Sequence, residues 1–549
     1  MEKLPRRRKG HWPAPAMFIV GVILAVMAFA GGVLQVSTAA IQAAGPDGSN
    51  AQGILHLPLV SGGGGPPLGT SHAGRFDTYE GSKTCNACHL QEAKEVHSSL
   101  HYQWRAPAPY VPGLSTGGKL GAINDFCGYA DINWLGILTN LDGQPTDGGC
   151  ATCHAGMGAR PESEQTTAQL ANIDCLICHS DTYKRKVVND SGTFKLAPAP
   201  ERMSVPLLQG ITDIGEPSKA SCLNCHLSSG GGPNNKRGDL EPAHVDPSRN
   251  LDVHMASEAN GGAGLVCQDC HTTQEHKIAG RGSDMRGTDL DVPVQCVNCH
   301  SPTPHDSNDI NKHTTKVECS ACHIPTFARE TSTDMYRDFQ YVEEVPVRRL
   351  YEPKITRGAH VIPQYRWFNG TSTFYEFGDP VTYQSNGRVL MSGPLGDVND
   401  PNSKLFAFKY HTATQAIEPI QNRILPLKMG ILFQDGDVDR AIREGAKAVG
   451  WDLPQNYEFI ATDRWLSINH EVAPEEQALR CDACHANTST RLDWPALGYT
   501  PKNTRNDKPL CESCHEPEEQ DWSNYFYSVH DKHVKDKGIA CFECHNFER

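Results

Sequence analysis

The chain contains one long apolar segment, followed by only short stretches with a regular pattern of apolar positions. The apolar segment runs from Met17 to Val36. Asp437 can cap an amphipathic helix in the stretch DVDRAIREGAKAVG. Alternating aromatic positions between turn residues predict a β-hairpin in RWFNGTSTFYEFGDPVTYQ. The remaining chain is predicted to form short helices joined by long loops, so the pattern predicts a mainly α fold with extensive coil.

The N-terminal region has the features of an export signal. A basic start (residues 6–9) precedes the apolar segment, and the small-residue stretch 37–44 follows it. Residues 1–44 can therefore be a cleaved signal peptide, or they can stay as a membrane anchor through residues 17–36, and both alternatives remain open. Residues 45–75 are rich in Gly, Pro and Ser and are predicted to be a flexible tether. We expect an extracytoplasmic protein, either periplasmic or held at the outer face of the cytoplasmic membrane.

Composition changes this picture, because the side chains alone would make a poor core. Hydrophobic residues form 38% of the 549-residue chain, which also contains 50 glycines and 37 prolines. A chain of this composition needs additional apolar material to bury if it is to fold.

Twenty of the 21 cysteines belong to ten copies of one pattern, Cys-x-x-Cys-His, numbered here as motifs 1 to 10. The cysteine pairs are, in order, Cys85 and Cys88, Cys150 and Cys153, Cys175 and Cys178, Cys222 and Cys225, Cys267 and Cys270, Cys296 and Cys299, Cys319 and Cys322, Cys481 and Cys484, Cys511 and Cys514, and Cys541 and Cys544. The histidines that end the motifs are His89, His154, His179, His226, His271, His300, His323, His485, His515 and His545. The remaining cysteine is Cys127.

Cys-x-x-Cys-His is the attachment signature of c-type haem. Two thiols on one helical turn can bond to the vinyl groups of one porphyrin, and the histidine that follows can reach the iron as its proximal ligand. Zinc ribbons and disulfide frameworks also use Cys-x-x-Cys pairs, but neither explains a histidine after every pair. The sequence therefore predicts ten covalently bound c-type haems with iron, whose porphyrins supply the missing apolar core.

The irons need a second axial ligand, for which neutral histidine is the usual residue. Twelve histidines lie outside the motifs and outside the predicted signal and tether, which contain His11, His56 and His72. Most of the twelve are predicted to bind iron, although which histidine pairs with which haem stays open. The set assigned to metal is His97, His101, His254, His276, His313, His411, His470, His530 and His533.

The motifs are dense from Cys85 to His323, absent from there to Cys481, and dense again to the C-terminus. Such spacing brings neighbouring porphyrins close together, so electron transfer along the series is the minimum function. We predict a domain at residues 76–500 and a C-terminal extension with two haems at residues 501–549.

Several segments between the motifs carry a family resemblance. They are AKEVHSSLHYQW, INDFC, GCATCHAGMG, DCLICHSDTYKRK, CLNCHLSSGGGPNNKRGDL, LDVHM, ECSACHIPTFARETSTDM, NHEVAPEEQALRCDACH and RLDWPALGY. These segments closely resemble the octahaem tetrathionate reductase family, which is related in haem arrangement to hydroxylamine oxidoreductases and multihaem nitrite reductases. The resemblance covers motifs 1 to 8 in order, from about Cys85 to about Tyr499, and the extension departs from it.

The resemblance implies one active haem with a lysine amine as an axial ligand, among bis-histidine haems that carry electrons. By position, the active haem is that of motif 2, with His154, and the lysine is Lys184, with Lys186 as the reserve choice. Cys127 matches a cysteine that the family places near its active haem. From the residues alone, a solvated basic run at 184–186 and a buried, inert Cys127 remain alternatives.

Two functional classes remain open. The first is an oxidoreductase that reduces a sulfur or nitrogen substrate of the tetrathionate, nitrite or hydroxylamine type at a lysine-ligated haem. The second is a non-catalytic electron conduit between a membrane donor and an extracytoplasmic partner. The expected partners are a quinol-linked or small-cytochrome electron donor and a small oxyanion, which the basic run would attract within a chain of net charge −14. No nucleic-acid partner is expected, and the resemblance favours the enzyme.

Overall fold

The computed structural model describes most of the chain from His72 onward. The described residues are 72–548 apart from 115, 119–121, 127, 147, 282–286, 453–455, 486–488, 503, 506–507, 510–530 and 538–545. The predicted signal, residues 45–71 of the tether, Cys127, His530 and motifs 9 and 10 lie outside them. Within the described part of the chain, no helix combines the length and the apolar character needed to cross a membrane.

The α-helices of the described residues are short. They are α1 Ser82–Asn86, α2 Leu90–Ser98, α3 Thr167–Asn172, α4 Leu176–His179, α5 Leu207–Thr212, α6 Lys219–His226, α7 Cys267–Cys270, α8 Asn308–His313, α9 Ser320–His323, α10 Met429–Asp435, α11 Val438–Ala448 and α12 Asp482–His485. The predicted helix after Asp437 is confirmed as α11, and the Asp437 side chain accepts a hydrogen bond from the Arg440 backbone N–H.

The strands are more extensive than the apolar pattern predicts. They are β1 Arg105–Pro107, β2 Thr116–Gly118, β3 Ile123–Asn124, β4 Gly128–Tyr129, β5 Arg185–Asp190, β6 Thr193–Pro198, β7 Thr273–Gln274, β8 Lys277–Ile278, β9 Thr333–Val345, β10 Leu350–Gly358, β11 Gln364–Phe368, β12 Ser372–Phe374, β13 Val389–Pro394, β14 Lys404–Glu418, β15 Arg423–Ile424, β16 Glu458–Ser467, β17 Thr500–Lys502, β18 Thr504–Arg505, β19 Lys508–Pro509 and β20 Asn546–Glu548.

Eight of these strands form one mixed sheet, which lies entirely in the motif-free stretch between His323 and Cys481. The order is β10-β9-β14-β16-β13-β12, and β11 and β15 also pair with β14. The long central strand β14 is parallel to β9 and antiparallel to β16. The predicted hairpin is not formed, because β11 pairs with β14 whereas β12 pairs with β13.

The prediction of a mainly α fold is wrong, because a large sheet fills the motif-free stretch. Many successive residues of β14 are buried, so its apolar and polar positions do not alternate clearly. A strand of this kind cannot be recognised from period-two alternation. Helices α10 and α11 pack on the sheet, where Leu432 and Ile442 join a buried cluster with Phe339 and Ala416.

Candidate functional site

Each described motif forms a single helical turn. The backbone N–H of the motif histidine donates to the carbonyl of the first cysteine, for example His154 to Cys150 (3.0 Å) and His271 to Cys267 (2.8 Å). This turn places both cysteines and the histidine on neighbouring faces, as attachment to one porphyrin requires.

Seven of the eight described motif histidines lie opposite a second histidine. The ring centroids are separated by 5.9 Å for His89 and His72, 6.3 Å for His179 and His276, 6.2 Å for His226 and His101, 6.3 Å for His271 and His470, 6.0 Å for His300 and His254, 6.1 Å for His323 and His305, and 6.0 Å for His485 and His313. Metal–imidazole bonds of about 2 Å put the centres of two imidazoles on one iron about 6 Å apart. The seven pairs therefore fit bis-histidine haem iron.

Hydrogen bonds at Nδ1 support the same fit. The Nδ1 atoms of His179 and His271 donate to the carbonyls of Gly215 (2.8 Å) and Ala279 (2.9 Å). On the distal side, His276 Nδ1 lies 2.9 Å from a Glu95 carboxylate oxygen. An imidazole bonded in this way turns its Nε2 atom toward the metal and becomes a stronger ligand.

Gly280, which follows Ala279, packs closely against the His271 ring. A Cβ at Gly280 would lie 2.8 Å from His271 Nδ1, and the backbone φ there is +111°. Only glycine fits this position without strain, because both the space and the backbone conformation exclude a side chain.

His154 of motif 2 is packed against two tryptophan rings. The Trp104 ring stacks on His154 with centroids 4.5 Å apart and planes within 14°. Trp134 meets His154 edge-on at 5.8 Å. The motif is enclosed on its N-terminal side too, because a Cβ at Gly149 would lie 2.5 Å from the Gly136 carbonyl oxygen. Motif 2 is thus the structural exception among the eight.

The segment 184–186 lies beside motif 2, but the arginine makes the contacts. Arg185 donates to the carbonyls of Thr152 (2.9 Å) and Gly156 (3.4 Å), on either side of His154. Strand β5 begins at Arg185, and side chains alternate along a strand, so Lys186 points to the opposite side from Arg185. The Lys184 side chain is exposed, and Lys186 Nζ lies 3.2 Å from Glu201.

Arg185 also pairs with the buried carboxylate of Asp174 at 3.4 Å. Burial raises the pKa of Asp174 to about 6, while Arg185 acts in the opposite direction. The hairpin of β5 and β6 is therefore anchored to the region between motifs 2 and 3 by one guanidinium.

Cysteines from different motifs show which motifs are neighbours. The thiols lie side by side in the pairs Cys85 and Cys175, Cys153 and Cys225, Cys222 and Cys267, and Cys296 and Cys319. Three further pairs of thiols are near each other, namely Cys178 and Cys222, Cys270 and Cys299, and Cys322 and Cys484. Motifs 1, 3, 4, 5, 6, 7 and 8 therefore follow one another in space, and motif 2 lies against motif 4.

The structure separates the histidines assigned from sequence into two groups. Five of them lie opposite motif histidines and belong to the seven pairs described above, namely His101, His254, His276, His313 and His470. His97 does not lie opposite a described motif histidine, and it is 2% exposed, contacts the Tyr102 ring at 5.2 Å and lies 3.4 Å from Gln103 Nε2.

His411 lies between two carboxylates rather than opposite a described motif histidine. Its Nδ1 lies 2.6 Å from Asp125 and its Nε2 lies 3.1 Å from Asp334, so carboxylates face both ring nitrogens. Burial alone would raise the pKa of Asp125, but Arg464 and His411 hold it well below its usual range. In the same cluster, burial lowers the pKa of Lys409 to about 7. This geometry gives no support to iron binding by His411.

Two histidines outside the assigned set occupy paired positions. His72 belongs to the predicted tether. His305 is one of the twelve histidines considered as ligands, but it is outside the set assigned to metal. No local motif marks either residue, since only contact with His89 or His323 distinguishes it. His533 lies in the short described segment Asp531–Lys535.

Comparisons with known proteins agree with this arrangement. The bacterial cytochrome c family model matches residues 353–488. A protein of Archaeoglobus fulgidus, described as uncharacterized, is 34% identical, and the match covers 38% of this chain and 77% of that protein. The crystal structure of octaheme cytochrome c from Shewanella oneidensis superposes with a TM-score of 0.62 at 30% identity, covering 78% of this chain and 95% of the other. The chain therefore belongs to the multihaem c-type cytochromes, in the family of the octaheme cytochrome c of Shewanella oneidensis.

Proposed function

We propose that this cytochrome is an extracytoplasmic oxidoreductase that passes electrons along bis-histidine haems to the haem of motif 2 and reduces a small substrate there. One observation carries the proposal. Seven described motif histidines face a second histidine, whereas His154 is packed against Trp104 and Trp134. A haem whose surroundings differ from those of all its neighbours is the best candidate for an exchangeable distal position.

The cysteine contacts support a path for the electrons. The series of motifs 1, 3, 4, 5, 6, 7 and 8 forms the wire, and the contact of Cys153 with Cys225 joins motif 2 to motif 4. Both thioethers would lie at one edge of a porphyrin, so Cys153 and Cys225 would hold the haems of motifs 2 and 4 with these edges close together. In the proposal, motif 4 therefore holds the haem that would supply electrons to the haem of motif 2.

The bound haem would supply the iron at which the substrate is reduced. In the proposal, Lys184 is the axial lysine, and its amine must be deprotonated to bind iron. Arg185 holds the segment against the motif through the Thr152 and Gly156 carbonyls. The substrate class is a sulfur or nitrogen compound such as tetrathionate, nitrite or hydroxylamine, and the basic residues 184–186 favour an anion.

The extension is proposed to carry haems 9 and 10 as an electron port. Strand β20, directly after motif 10, pairs with β17 in an antiparallel register. The end of the extension thus returns to its beginning, next to the core residues Trp494 and Leu497. Trp494 lies 5.5 Å from His485 of motif 8, and the proposal therefore assigns the entry of electrons to the haem of motif 8.

The test is a Lys184→Ala variant. All haems should stay attached, because Cys150 and Cys153 hold the porphyrin of motif 2, while one low-spin signal in the electron paramagnetic resonance (EPR) spectrum changes. Viologen-coupled reduction of tetrathionate, nitrite or hydroxylamine should fall at least about tenfold. Lys195→Ala is the matched control, since Lys195 is exposed on the adjacent strand and pairs with Asp190.

If the Lys184→Ala variant keeps the wild-type EPR spectrum and activity, the same measurements are made on a Lys186→Ala variant. If neither lysine matters and no substrate oxidises the reduced protein, the chain is an electron conduit and the proposed reductase is rejected.

A further inference from the structure

We infer that Glu95 and Asp239 set the reduction potentials of haems 3 and 5 below that of haem 4, so that electrons collect at haem 4. These are the haems of motifs 3, 4 and 5, which are neighbours because Cys222 of motif 4 is near Cys178 and beside Cys267. Each of the three motif histidines lies opposite a distal histidine, with ring centroids 6.2 to 6.3 Å apart. The groups around the three distal histidines differ.

The distal ligand of haem 5, His470, is held by one buried carboxylate. His470 Nδ1 lies 3.2 Å from Asp239 Oδ2, and the His470 backbone N–H donates to the same oxygen (3.0 Å). The backbone N–H of Asn469 donates to it as well (2.8 Å), and Arg237 Nε donates to Asp239 Oδ1 (3.0 Å). Asp239 is fully buried among these donors, so it is an ionised carboxylate that accepts the Nδ1 proton of His470. The Nε2 atom of His470 is thereby left for the iron.

Haem 3 has the same kind of group on its distal side. His276 Nδ1 lies 2.9 Å from Glu95 Oε2, and the Glu95 side chain is 18% exposed on helix α2. An imidazole whose Nδ1–H donates to a carboxylate is a more basic ligand and donates more electron density to its metal. A more basic ligand and a nearby negative charge both stabilise ferric iron relative to ferrous iron, so both lower the reduction potential.

The distal ligand of haem 4, His101, has different surroundings. Its Nδ1 atom is buried and has no hydrogen-bond partner among the described residues. The opposite histidine, His226, is close enough to Arg237 for the positive charge to act on it. At His470 the same guanidinium lies 3.4 Å from Nδ1, but there the Asp239 carboxylate offsets its charge. A nearby cation favours ferrous iron, so haem 4 should have the highest potential of the three.

This order of potentials places the electrons next to motif 2. Cys153 of motif 2 lies beside Cys225 of motif 4, so an electron held at haem 4 is at the branch. The use of that electron for reduction at haem 2 rests on the proposed function. The order of potentials does not, since it depends only on the groups around His276, His101 and His470.

The experiment is an EPR-monitored redox titration of the full-length holoprotein. The variants His276→Met, His101→Met and His470→Met, in which the motif cysteines still hold the porphyrins, first identify the low-spin signals of haems 3, 4 and 5. In the wild type, the signal of haem 4 should disappear first of the three as the potential is lowered. Asp239→Asn keeps the shape and an acceptor but removes the charge. It should shift the electron equilibrium between haems 4 and 5 toward haem 5 at least about tenfold, which is about 59 mV for a one-electron couple.

Glu95→Gln should shift the equilibrium between haems 4 and 3 toward haem 3 in the same way. Because Glu95 is partly exposed, this variant should fold even if Asp239→Asn does not. Glu444→Gln is the matched control, since it removes one carboxylate that pairs with Lys447 on α11 rather than with a histidine. It should leave all three potentials unchanged.

The inference is overturned if haem 3 or haem 5 of the wild type is reduced before haem 4. It is overturned equally if a folded Asp239→Asn or Glu95→Gln variant keeps the wild-type potential of its haem. If haem 4 is reduced first, both variants shift as expected and the protein still reduces none of the three substrates, the inference holds and only the proposed reductase is rejected.

Discussion

The role of each histidine in this protein depends on what faces its two ring nitrogens. His276 has a carboxylate oxygen at Nδ1 and the ring of His179 opposite, which suits a metal ligand. His411 has carboxylates on both sides and a guanidinium behind Asp125, so it is part of a buried charge network. The network also holds the Phe126 carbonyl through Arg337. The two histidines are indistinguishable in type and differ only in their neighbours.

Replacement of His411 with Ala should therefore destabilise the fold without changing the iron. Asp125 and Asp334 would each lose the hydrogen-bond partner between them, and leaving a buried polar group unsatisfied costs about 1–3 kcal/mol. We expect a lower midpoint of thermal unfolding and an unaltered EPR spectrum. His276→Ala is the contrasting variant, which should alter the signal of haem 3. Loss of a low-spin signal in the His411 variant would show that it binds iron after all.

At the scale of the element, the chain uses two different ways to build a core. Where motifs are dense, helices are as short as α4 and α7, since each need only hold two thioethers and a ligand. Where motifs are absent, β9, β14 and β16 form a long, hydrogen-bonded sheet that α10 and α11 cover. Composition averaged over the whole chain conceals this division, so the sheet was not predicted.

The N-terminus of α11 offers a direct test of element stability. Asp437→Ala removes the bond from the Arg440 N–H and should cost about 1 kcal/mol, whereas Asp437→Asn keeps an acceptor and should cost little. Chemical denaturation of the holoprotein measures both. Equal losses in the two variants would mean that the negative charge, rather than the cap hydrogen bond, stabilises the helix.

At the scale of the whole molecule, the order of the motifs in space differs from their order along the chain. Motif 3 follows motif 1 directly, and motif 2 forms a branch at motif 4. Under the proposed function, this branch would end in the catalytic haem without interrupting the series of the other motifs.

The number of haems tests the whole arrangement. Pyridine haemochrome analysis against protein mass should give ten haems per chain, because every Cys-x-x-Cys-His copy supplies two thiols and a ligand. Changing both Cys541 and Cys544 to Ala should remove one haem and leave the sheet folded. A value of eight in the unaltered protein would restrict attachment to motifs 1 to 8.

The sequence by itself determined the features that depend on nearby residues. The α11 cap needs two residues three positions apart, and it is confirmed in kind and position. Covalent attachment needs five consecutive residues, and the comparisons confirm c-type haem as the kind of cofactor. The family resemblance likewise rests on local segments, and it implies that motif 2 holds the active haem.

Only the tertiary structure decided the features that depend on distant residues. His72 and His89 are brought together by folding, as are His305 and His323, and no spacing rule marks such pairs. The same holds for Trp104 beside His154, and for His411, whose carboxylate partners come from β9 and from the loop after β3. The physical reason is that a distal contact has no fixed separation along the chain, because its partners are set by how sheet, loops and porphyrins pack.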